Sequence, residues 1–369
     1  MTETEPQPRA PGHRGGAAEV LTPKPEIALV GAGRAGTALA VALSDAGYPV
    51  TTVCSRDSDH ADQLAARVGA WSVTTPLLAM QAADITLLTV PDPAIAEAVA
   101  SVVARGAELA GRAVVHCSAS RGLEVLAPLR LTGASVGSLH PLQALAGEAS
   151  AALLRGSLMA VDGDPGLLDQ LRRMVRDLGG RPVAVAPRFR GLYHAAASLA
   201  GNAPLALVAA ATELMATSGI DAREAEAGLI SLMQGALANA RRGGAKAALT
   251  GPVVRADAET VSLHLAALHG RPGADALYRA LARATLRLAG EEGRESIAAL
   301  LDDGSQNQRS ANGHRQGDAG VRVKRGFAQA RVQPRRAKAA ARQSGRADAR
   351  AERNTTPASP HGAGDSNCQ

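Results

Sequence analysis

Short apolar runs alternate with longer segments of helical spacing along the first 140 residues. The apolar or extended runs predict strands over Ile27–Val30, Pro49–Cys54, Ala70–Thr74, Asp84–Val90, Ala113–Cys117 and Val136–Leu139. The segments between them predict helices over Thr37–Ala46, Asp59–Val68, Pro76–Ala82 and Ile95–Arg105. Strands that alternate with helices in this way are typical of a doubly wound, mostly parallel α/β sheet.

The pattern changes after about residue 145. A last strand is predicted at Leu158–Val161, followed by an amphipathic helix over Pro165–Leu178 and a short extended segment over Arg181–Val185. From there on the spacing is helical, with helices predicted over Phe189–Thr217, Ala222–Arg241, Asp257–Leu268 and Gly273–Ala289. We therefore predict an α/β domain over residues 25–163 and an all-helical domain over residues 164–303.

Both ends of the chain have a different composition. Residues 1–24 are rich in proline, glycine and charge, and residues 304–369 hold few large apolar side chains, so we predict that both are disordered. From Asp302 onwards the chain holds 13 Lys or Arg against six Asp or Glu, a charge of +7, whereas the whole chain has +6. The rest of the chain is therefore close to neutral, and no specific nucleic-acid partner is expected.

The cysteines and the apolar runs bear on the compartment. Cys54, Cys117 and Cys368 are far apart and lack metal-ligand spacing, which favours a reducing compartment and predicts no metal site. The first 16 residues lack the apolar core of a signal peptide. The uncharged run Ala195–Thr212 approaches membrane-spanning length, but Ser198, Asn202 and Pro204 interrupt it, so a helix buried in protein is favoured over a membrane span. A cytoplasmic protein is the expectation.

A glycine motif follows the first predicted strand directly. Gly31, Gly33 and Gly36 have the spacing of the dinucleotide fingerprint, in the required order of strand, turn, helix and strand. The first glycine allows the tight turn, the second allows close approach of a pyrophosphate, and the third allows the helix to pack on the strand. Arg34 and Ala35 lie in the turn that leads into the predicted helix, whose free N–H groups would bind the phosphates. The alternative is a glycine turn that binds nothing.

The end of the second strand predicts which dinucleotide would bind. NAD-binding units place an acidic residue there for the ribose hydroxyl, whereas this chain has Ser55 and Arg56. A guanidinium can hold a 2′-phosphate through two hydrogen bonds, so NADP(H) is the predicted cofactor. The alternative is that Arg56 is a solvated surface residue. Val90 and Pro91, at the end of the Asp84–Val90 strand, complete the predicted cofactor site.

Two further strand ends carry candidates for catalysis, because ligands of open α/β sheets lie beyond the carboxyl ends of the strands. Ser118 could donate a hydrogen bond to the cofactor or the substrate, or it could belong to a local serine turn. His140 precedes a proline and could exchange a proton near neutral pH, or it could bind a backbone carbonyl.

The first long helix of the second domain carries a polar ladder. Arg190, His194, Ser198 and Asn202 follow one another at four-residue spacing, which places them on one helix face. Pro204 predicts a kink or a fresh helix start beside Asn202. We predict that His194 and Asn202 act with His140 and Ser118 in a catalytic site. A solvated stripe or an interhelical polar network is the alternative.

Several segments together resemble a bacterial two-domain family with a Rossmann-like NADP-binding domain and a helical domain of unknown function. They are VGAGRAG at Val30–Gly36, TVPDPAI at Thr89–Ile95, GSLHPLQ at Gly137–Gln143, YHAAASLAGN at Tyr193–Asn202 and LTGPVVRADAETV at Leu249–Val261. More distantly, the chain is similar to deazaflavin-dependent NADP reductases, pyrroline-carboxylate reductases and β-hydroxyacid dehydrogenases. The resemblance implies a helical domain of the type at the C-terminus of 6-phosphogluconate dehydrogenase, and a homodimer through that domain.

The chain departs from the dehydrogenase pattern at one position. Those enzymes place a lysine four residues before the asparagine of the first long helix, whereas this chain has Ser198 before Asn202. Two functions therefore stay open. The first is an NADP(H)-dependent reductase of a small carbonyl or imine compound in the interdomain cleft, and the second is a nucleotide-binding regulatory or scaffold protein without turnover.

Overall fold

The computed structural model describes residues 23–290 and 292–302. The predictions of disordered ends therefore lie almost wholly outside the described residues, as does Cys368.

One eight-stranded sheet forms the first part of the chain. Its strands are β1 (Ile27–Val30), β2 (Val50–Cys54), β3 (Trp71–Val73), β4 (Ile85–Leu88), β5 (Ala113–His116), β6 (Ser135–Pro141), β7 (Leu158–Gly163) and β8 (Arg181–Val183). Their order is β3-β2-β1-β4-β5-β6-β7-β8, and all neighbours are parallel except β6 and β7, which are antiparallel. The prediction of a doubly wound, mostly parallel sheet is confirmed. The carboxyl ends of β1, β2, β4, β5 and β6 therefore lie along one edge of the sheet.

Helices cover both faces of this sheet. They are α1 (Arg34–Asp45), α2 (Ser58–Val68), α3 (Pro76–Ala82), α4 (Asp92–Val103) and α5 (Pro165–Asp177). One apolar cluster joins α1, α2 and α5 to one face, and a second joins α3 and α4 to the other. Every residue of β1, β4 and β5 is buried, as expected for parallel strands with two covered faces. The sheet is therefore a rigid support for the loops at its carboxyl edge.

The boundary between the two parts of the chain differs from the predicted one at residues 163 and 164. Leu167, Leu171 and Met174 of α5 belong to the sheet's own apolar cluster, and β8 pairs with β7 as the last strand. An amphipathic helix has the same spacing whether it packs on a sheet or on other helices, so the sequence pattern could not separate the two cases. The purely helical part begins only after β8.

The helical part consists of α6 (Arg190–Gly201), α7 (Ala203–Thr217), α8 (Ala222–Ala248), α9 (Ala258–Ala267) and α10 (Pro272–Ala289). The predicted break beside Asn202 is confirmed, because α6 ends at Gly201 and α7 starts at Ala203. These helices bury few of their side chains: α8 buries only Ala225, and α7 only Val208. The stretch Pro187–Thr217 has the length and composition of a membrane span, a property that core helices of soluble proteins also show, and 6% of its apolar window is buried.

Candidate functional site at the carboxyl edge of the sheet

The glycine turn between β1 and α1 has the geometry that its three glycines suggest. Gly31 has φ +113°, and a Cβ there would lie 2.7 Å from the carbonyl oxygen of Thr89. A Cβ on Gly36 would overlap the carbonyl oxygen of Gly31. A Cβ on Gly33 would meet nothing within 4 Å, so open space lies above that residue. Only the middle glycine therefore faces a volume that a ligand could occupy.

A cavity of about 480 Å³ starts at this turn. Seven of the predicted cofactor residues or their direct neighbours line it: Gly31, Ala32, Gly33, Ser55, Arg56, Val90 and Pro91. Arg34 and Ala35 lie in the first turn of α1, which has no acidic residue and no side-chain cap, so its N–H groups are available to an anion. Gly36 is buried beneath the turn. His60, Glu97 and Arg105 also line the cavity, and sequence reasoning did not find them.

The end of β2 forms the far wall of this cavity. Asp57 is the N-cap of α2, where its carboxylate accepts a hydrogen bond from the backbone N–H of His60 (3.1 Å) and lies 3.3 Å from the His60 ring. The Asp57 carboxylate is thus engaged by its own helix. Arg56 is exposed and lines the cavity.

Beyond β5, the polar groups bind one another. His116 is fully buried, its Nε2 donates to the carbonyl oxygen of Gly122 (3.2 Å), and its Nδ1 accepts from the N–H of Ser118 (3.2 Å). Burial lowers the pKa of His116, so the ring is neutral. The Ser118 hydroxyl accepts from the backbone N–H groups of Ser120 and Arg121 (3.2 and 3.1 Å). Of the two interpretations of Ser118, this geometry is that of the local serine turn.

The end of β6 carries a pair of polar rings. His140 Nδ1 lies 2.8 Å from the Tyr193 hydroxyl, and the two rings meet edge to face at 5.5 Å and 87°. Burial, followed by the positive charges of His194 and Arg190, lowers the pKa of His140 to about 4. Sequence reasoning placed His140 correctly at the sheet edge but did not select Tyr193. The available signal was its rarity, since the chain has only three tyrosines.

Arg190 connects the helical part to the sheet. This first residue of α6 is 4% exposed, and its Nη2 donates to the hydroxyl of Ser138 (2.8 Å) and to the carboxylate of Asp162 (3.3 Å). Ser138 and Asp162 are register partners on β6 and β7. The Arg190 Nε is buried without a hydrogen-bond partner among the described residues. A buried guanidinium held by two strands fixes where α6 begins.

The remaining members of the predicted polar ladder differ in burial. His194 is exposed but close enough to His140 to act on its pKa, and Ser198 is half-buried. Asn202 is exposed at the junction of α6 and α7, where its carbonyl oxygen accepts from the N–H of Leu205 (3.1 Å). The structure thus brings His140, Tyr193 and Arg190 together with His194 nearby, whereas Asn202 lies eight residues beyond His194, at the end of α6.

The two described cysteines are poor candidates for nucleophiles. Burial raises the pKa of Cys117 to about 12 and also raises that of Cys54. Both thiols therefore stay protonated at neutral pH. Among residues 23–290 and 292–302, no group of three or more His, Cys, Asp or Glu side chains could hold a metal ion.

A parallel sheet with a glycine turn at the start of α1 and a cavity over its carboxyl edge defines a fold of the Rossmann type. Residues 11–141 match the sequence model of the Rossmann-like domain, and residues 157–285 match that of the domain of unknown function DUF2520. The chain thus carries a Rossmann-like domain followed by a DUF2520 helical domain, which confirms the resemblance found from its motifs.

Solved structures share this fold at low sequence identity. A candidate NADP oxidoreductase from Bacteroides fragilis is 23% identical with a TM-score of 0.58, covering 71% of this chain and 98% of its own. An imine reductase from Pseudomonas sp. is 17% identical with a TM-score of 0.51, and the match covers 75% of this chain and 99% of that protein. A reductive aminase from Aspergillus terreus, solved with NADPH and ethyl levulinate, is 20% identical with a TM-score of 0.52. This match covers 75% of this chain and 99% of that protein. No curated protein matches the chain.

Proposed function

We propose that the protein is an NADP(H)-dependent oxidoreductase that reduces a small carbonyl or imine compound. The observation that carries this proposal is the cavity that runs from the open side of Gly33 to Arg56. It joins the free N–H groups of α1, which suit a pyrophosphate, to a guanidinium, which suits a terminal phosphate. The fold shared with an NADPH-bound reductive aminase agrees with this assignment.

The end of β2 supports NADP(H) over NAD(H). The nearest carboxylate to the predicted ribose site is Asp57, and it already caps α2. Its helix-capping bond would compete with a ribose hydroxyl. Arg56 lines the cavity next to it, and His60 adds a second nitrogen donor on the same wall.

Titration of both cofactors tests this assignment. Arg56→Ala removes a charge-assisted contact of about 1.5–3 kcal/mol, so NADPH affinity should fall about tenfold to over a hundredfold while NADH affinity changes little. Arg67→Ala is the matched control, because Arg67 is an exposed arginine of the same helix region that pairs with Glu148 and does not line the cavity. Equal affinity of the wild type for NADPH and NADH would contradict the proposal.

The reaction would take place where β4, β5 and β6 end. When bound, the cofactor would supply a hydride, and the chain's own residues would orient the substrate and supply a proton. His140 and His194 are the predicted proton donors, and the predicted role of Asn202 is to orient the substrate. A panel of small keto acids and cyclic imines, followed by NADPH absorbance, tests for turnover.

One observation favours the second function, a nucleotide-binding protein without turnover. The position four residues before Asn202 holds Ser198 rather than lysine, and Asn202 itself is exposed. NADPH binding without turnover on the whole panel would support this alternative.

We also propose that two copies of the chain associate through the helical part. Residues 227–240 of α8 form an uncharged run, AGLISLMQGALANA, and most of them are exposed, with Leu232 at 70% and Leu237 at 63%. A helix that is apolar on all sides is normally buried. Gly228 and Gly235 are small residues seven positions apart, which would let another helix approach closely.

The exposed apolar area fits a second copy. The helices α6 to α10 expose ten large apolar side chains, namely Leu192, Leu199, Leu205, Ile230, Leu232, Leu237, Leu263, Leu277, Leu281 and Leu288. Full burial of one leucine side chain removes roughly 60–120 Å² of apolar surface from water. Ten side chains that are about half exposed therefore offer about 300–600 Å² of apolar surface to a partner. Exposed alanines add to this figure, which approaches the roughly 800 Å² per partner of a stable interface. The sequence of residues 303–369 holds only Val321, Val323, Phe327 and Val332 as large apolar residues, so a second copy is the occupant proposed here.

The proposed compartment is the cytoplasm, in keeping with the scattered cysteines and the reductase-like fold. The buried Arg190 contact holds the start of α6 at the sheet, which argues for protein rather than lipid around the Pro187–Thr217 stretch.

A further inference from the structure

The His140–Tyr193 pair is a polar contact between the sheet edge and the helical part. His116 and Ser118 nearby both bind backbone groups of their own loop. By contrast, His140 Nδ1 bonds only across to the helical part, to a hydroxyl 53 residues away at 2.8 Å. Arg190 already fixes α6 to the sheet through Ser138 and Asp162, so the pair is not required for that attachment.

The surroundings of His140 keep its ring neutral. The positively charged or chargeable groups that act on it are His194 and Arg190 from α6 and His116 from β5, and Asp92 at the start of α4 is the acid that opposes them. At neutral pH the ring therefore carries one N–H and one free nitrogen. A neutral imidazole can donate a proton to a phenolate and take another from water, but it is a poor acid by itself.

The pair lies at the same edge of the sheet as the cofactor cavity. Pro91 lines that cavity, and the adjacent Asp92 is one of the charges that act on His140. Tyr193 is half-buried, so part of its side chain remains accessible.

We propose that the Tyr193 hydroxyl is the proton donor of the reduction and that His140 is the relay that reprotonates it. This inference rests on the proposed reductase function and names a residue that the prediction of His140 or His194 as the donor leaves out. The bound cofactor would supply a hydride to the substrate carbon. The electron pair of the substrate's C=O or C=N double bond would then move to the heteroatom. That atom takes the Tyr193 proton. The Nδ1–H of His140 passes to the phenolate oxygen as Nε2 takes a proton from a water molecule, and the solvent supplies a proton to the hydroxide that remains. The ring is then neutral with its proton on Nε2, and proton exchange with solvent restores the Nδ1–H form before the next turnover.

The chain contains a second pair of the same geometry, which serves as a built-in control. His264 Nδ1 lies 2.9 Å from the Tyr278 hydroxyl, with ring centroids 5.6 Å apart and planes at 89°. This pair joins α9 to α10 in the helical part, with His264 exposed and Tyr278 half-buried. Tyr278→Phe therefore removes the same hydroxyl from the same kind of hydrogen bond, away from the sheet edge.

The test compares Tyr193→Phe with Tyr278→Phe in the full chain. The measurements are NADPH affinity, melting temperature and turnover on the panel of keto acids and cyclic imines. We expect Tyr193→Phe to lower kcat about 10²–10⁴-fold with NADPH affinity and KM unchanged, and Tyr278→Phe to leave all of them unchanged. His140→Gln should lower kcat less, and added imidazole should restore part of its rate, which a structural role would not produce.

Equal turnover of the two phenylalanine variants would overturn the proposal. If the wild type does not bind NADPH, the proposed function itself fails, and the relay fails with it. If it binds NADPH but turns over nothing, spectra of ¹⁵N-labelled histidine in the NADPH complex decide the matter. The His140 ring signal should then shift in Tyr193→Phe and not in Tyr278→Phe, and an unchanged His140 signal would overturn the relay.

Discussion

The sheet and the helical part bury their apolar residues very differently. In the sheet, every residue of β1, β4 and β5 is buried, and apolar clusters cover both faces. In α8, a helix of 27 residues, Ala225 is the one buried residue. The sheet region has a core of its own, whereas the helices leave most of their leucines in contact with solvent.

This difference supports the proposal that a second copy of the chain completes the helical part. Ordering a helix has an entropic cost of about 1–2 kcal/mol per residue, which burial of apolar area normally offsets. Helices that bury little apolar area within one chain need another surface against which to bury it. The proposed second copy provides that surface, and the sheet needs none.

The largest expected effect comes from charging the α8 surface. Leu232→Glu together with Leu237→Glu would bury two unpaired carboxylates in the proposed interface, so the protein should change from a dimer to a monomer with a lower melting temperature. Light scattering coupled to size-exclusion chromatography measures this. Glu226→Gln, at an exposed acidic position of the same helix outside the uncharged run, is the control.

The sheet provides the opposite case for this comparison. Leu87 is fully buried in β4. Mutation of Leu87 to alanine should lower the unfolding free energy of the protein by about 2–5 kcal/mol at every protein concentration. The effect of the α8 variant should instead depend on concentration, since association contributes to stability by mass action. A monomeric wild type whose stability does not depend on concentration would refute the proposed dimer.

Substitutions of Gly36 and Gly33 should separate effects on folding from effects on cofactor binding within the sheet region. Gly36→Ala places a methyl group against the Gly31 carbonyl and should lower stability by about 1–3 kcal/mol or more. Gly33→Ala meets only open space, so stability should be unchanged while NADPH affinity falls. Urea unfolding and NADPH titration of both variants test this. Unchanged NADPH affinity in Gly33→Ala would contradict the prediction that the cofactor binds above the turn.

The smallest expected effect at neutral pH lies where the two parts meet. The folded-state pKa of His140 is about 4, below its ordinary value of 6.5. As the pH falls through this window, the unfolded chain binds the proton first, so the unfolding free energy should fall between pH 6.5 and 4. This loss is at most about 3 kcal/mol and is absent above pH 6.5. Urea unfolding of the wild type and of His140→Gln at a series of pH values measures this effect. His140→Gln should lack this part of the pH dependence. Identical slopes of unfolding free energy against pH for the wild type and the variant would contradict the prediction.

The sheet could be predicted from the sequence because buried parallel strands are continuous apolar runs, as Ile27–Val30 and Ala113–His116 show. The sheet also fixes which residues lie at its edge, so His140 and the glycine turn could be placed. The partner of His140 could not, because Tyr193 reaches it only through the way α6 docks on β6 and β7. The position of Asn202 depends on the same docking, and it is exposed rather than beside His140.

The antiparallel direction of β7 has a mechanical consequence. It brings Asp162 beside Ser138, so that both bind one guanidinium at the very start of α6. Because this contact lies at the first residue of α6, it would act as a pivot for any movement of the helix relative to the sheet. Tyr193, less than one turn from Arg190, would then move little, whereas Asn202 at the far end of the helix would move most. Opening and closing of a cleft around this pivot would leave the His140–Tyr193 distance nearly constant.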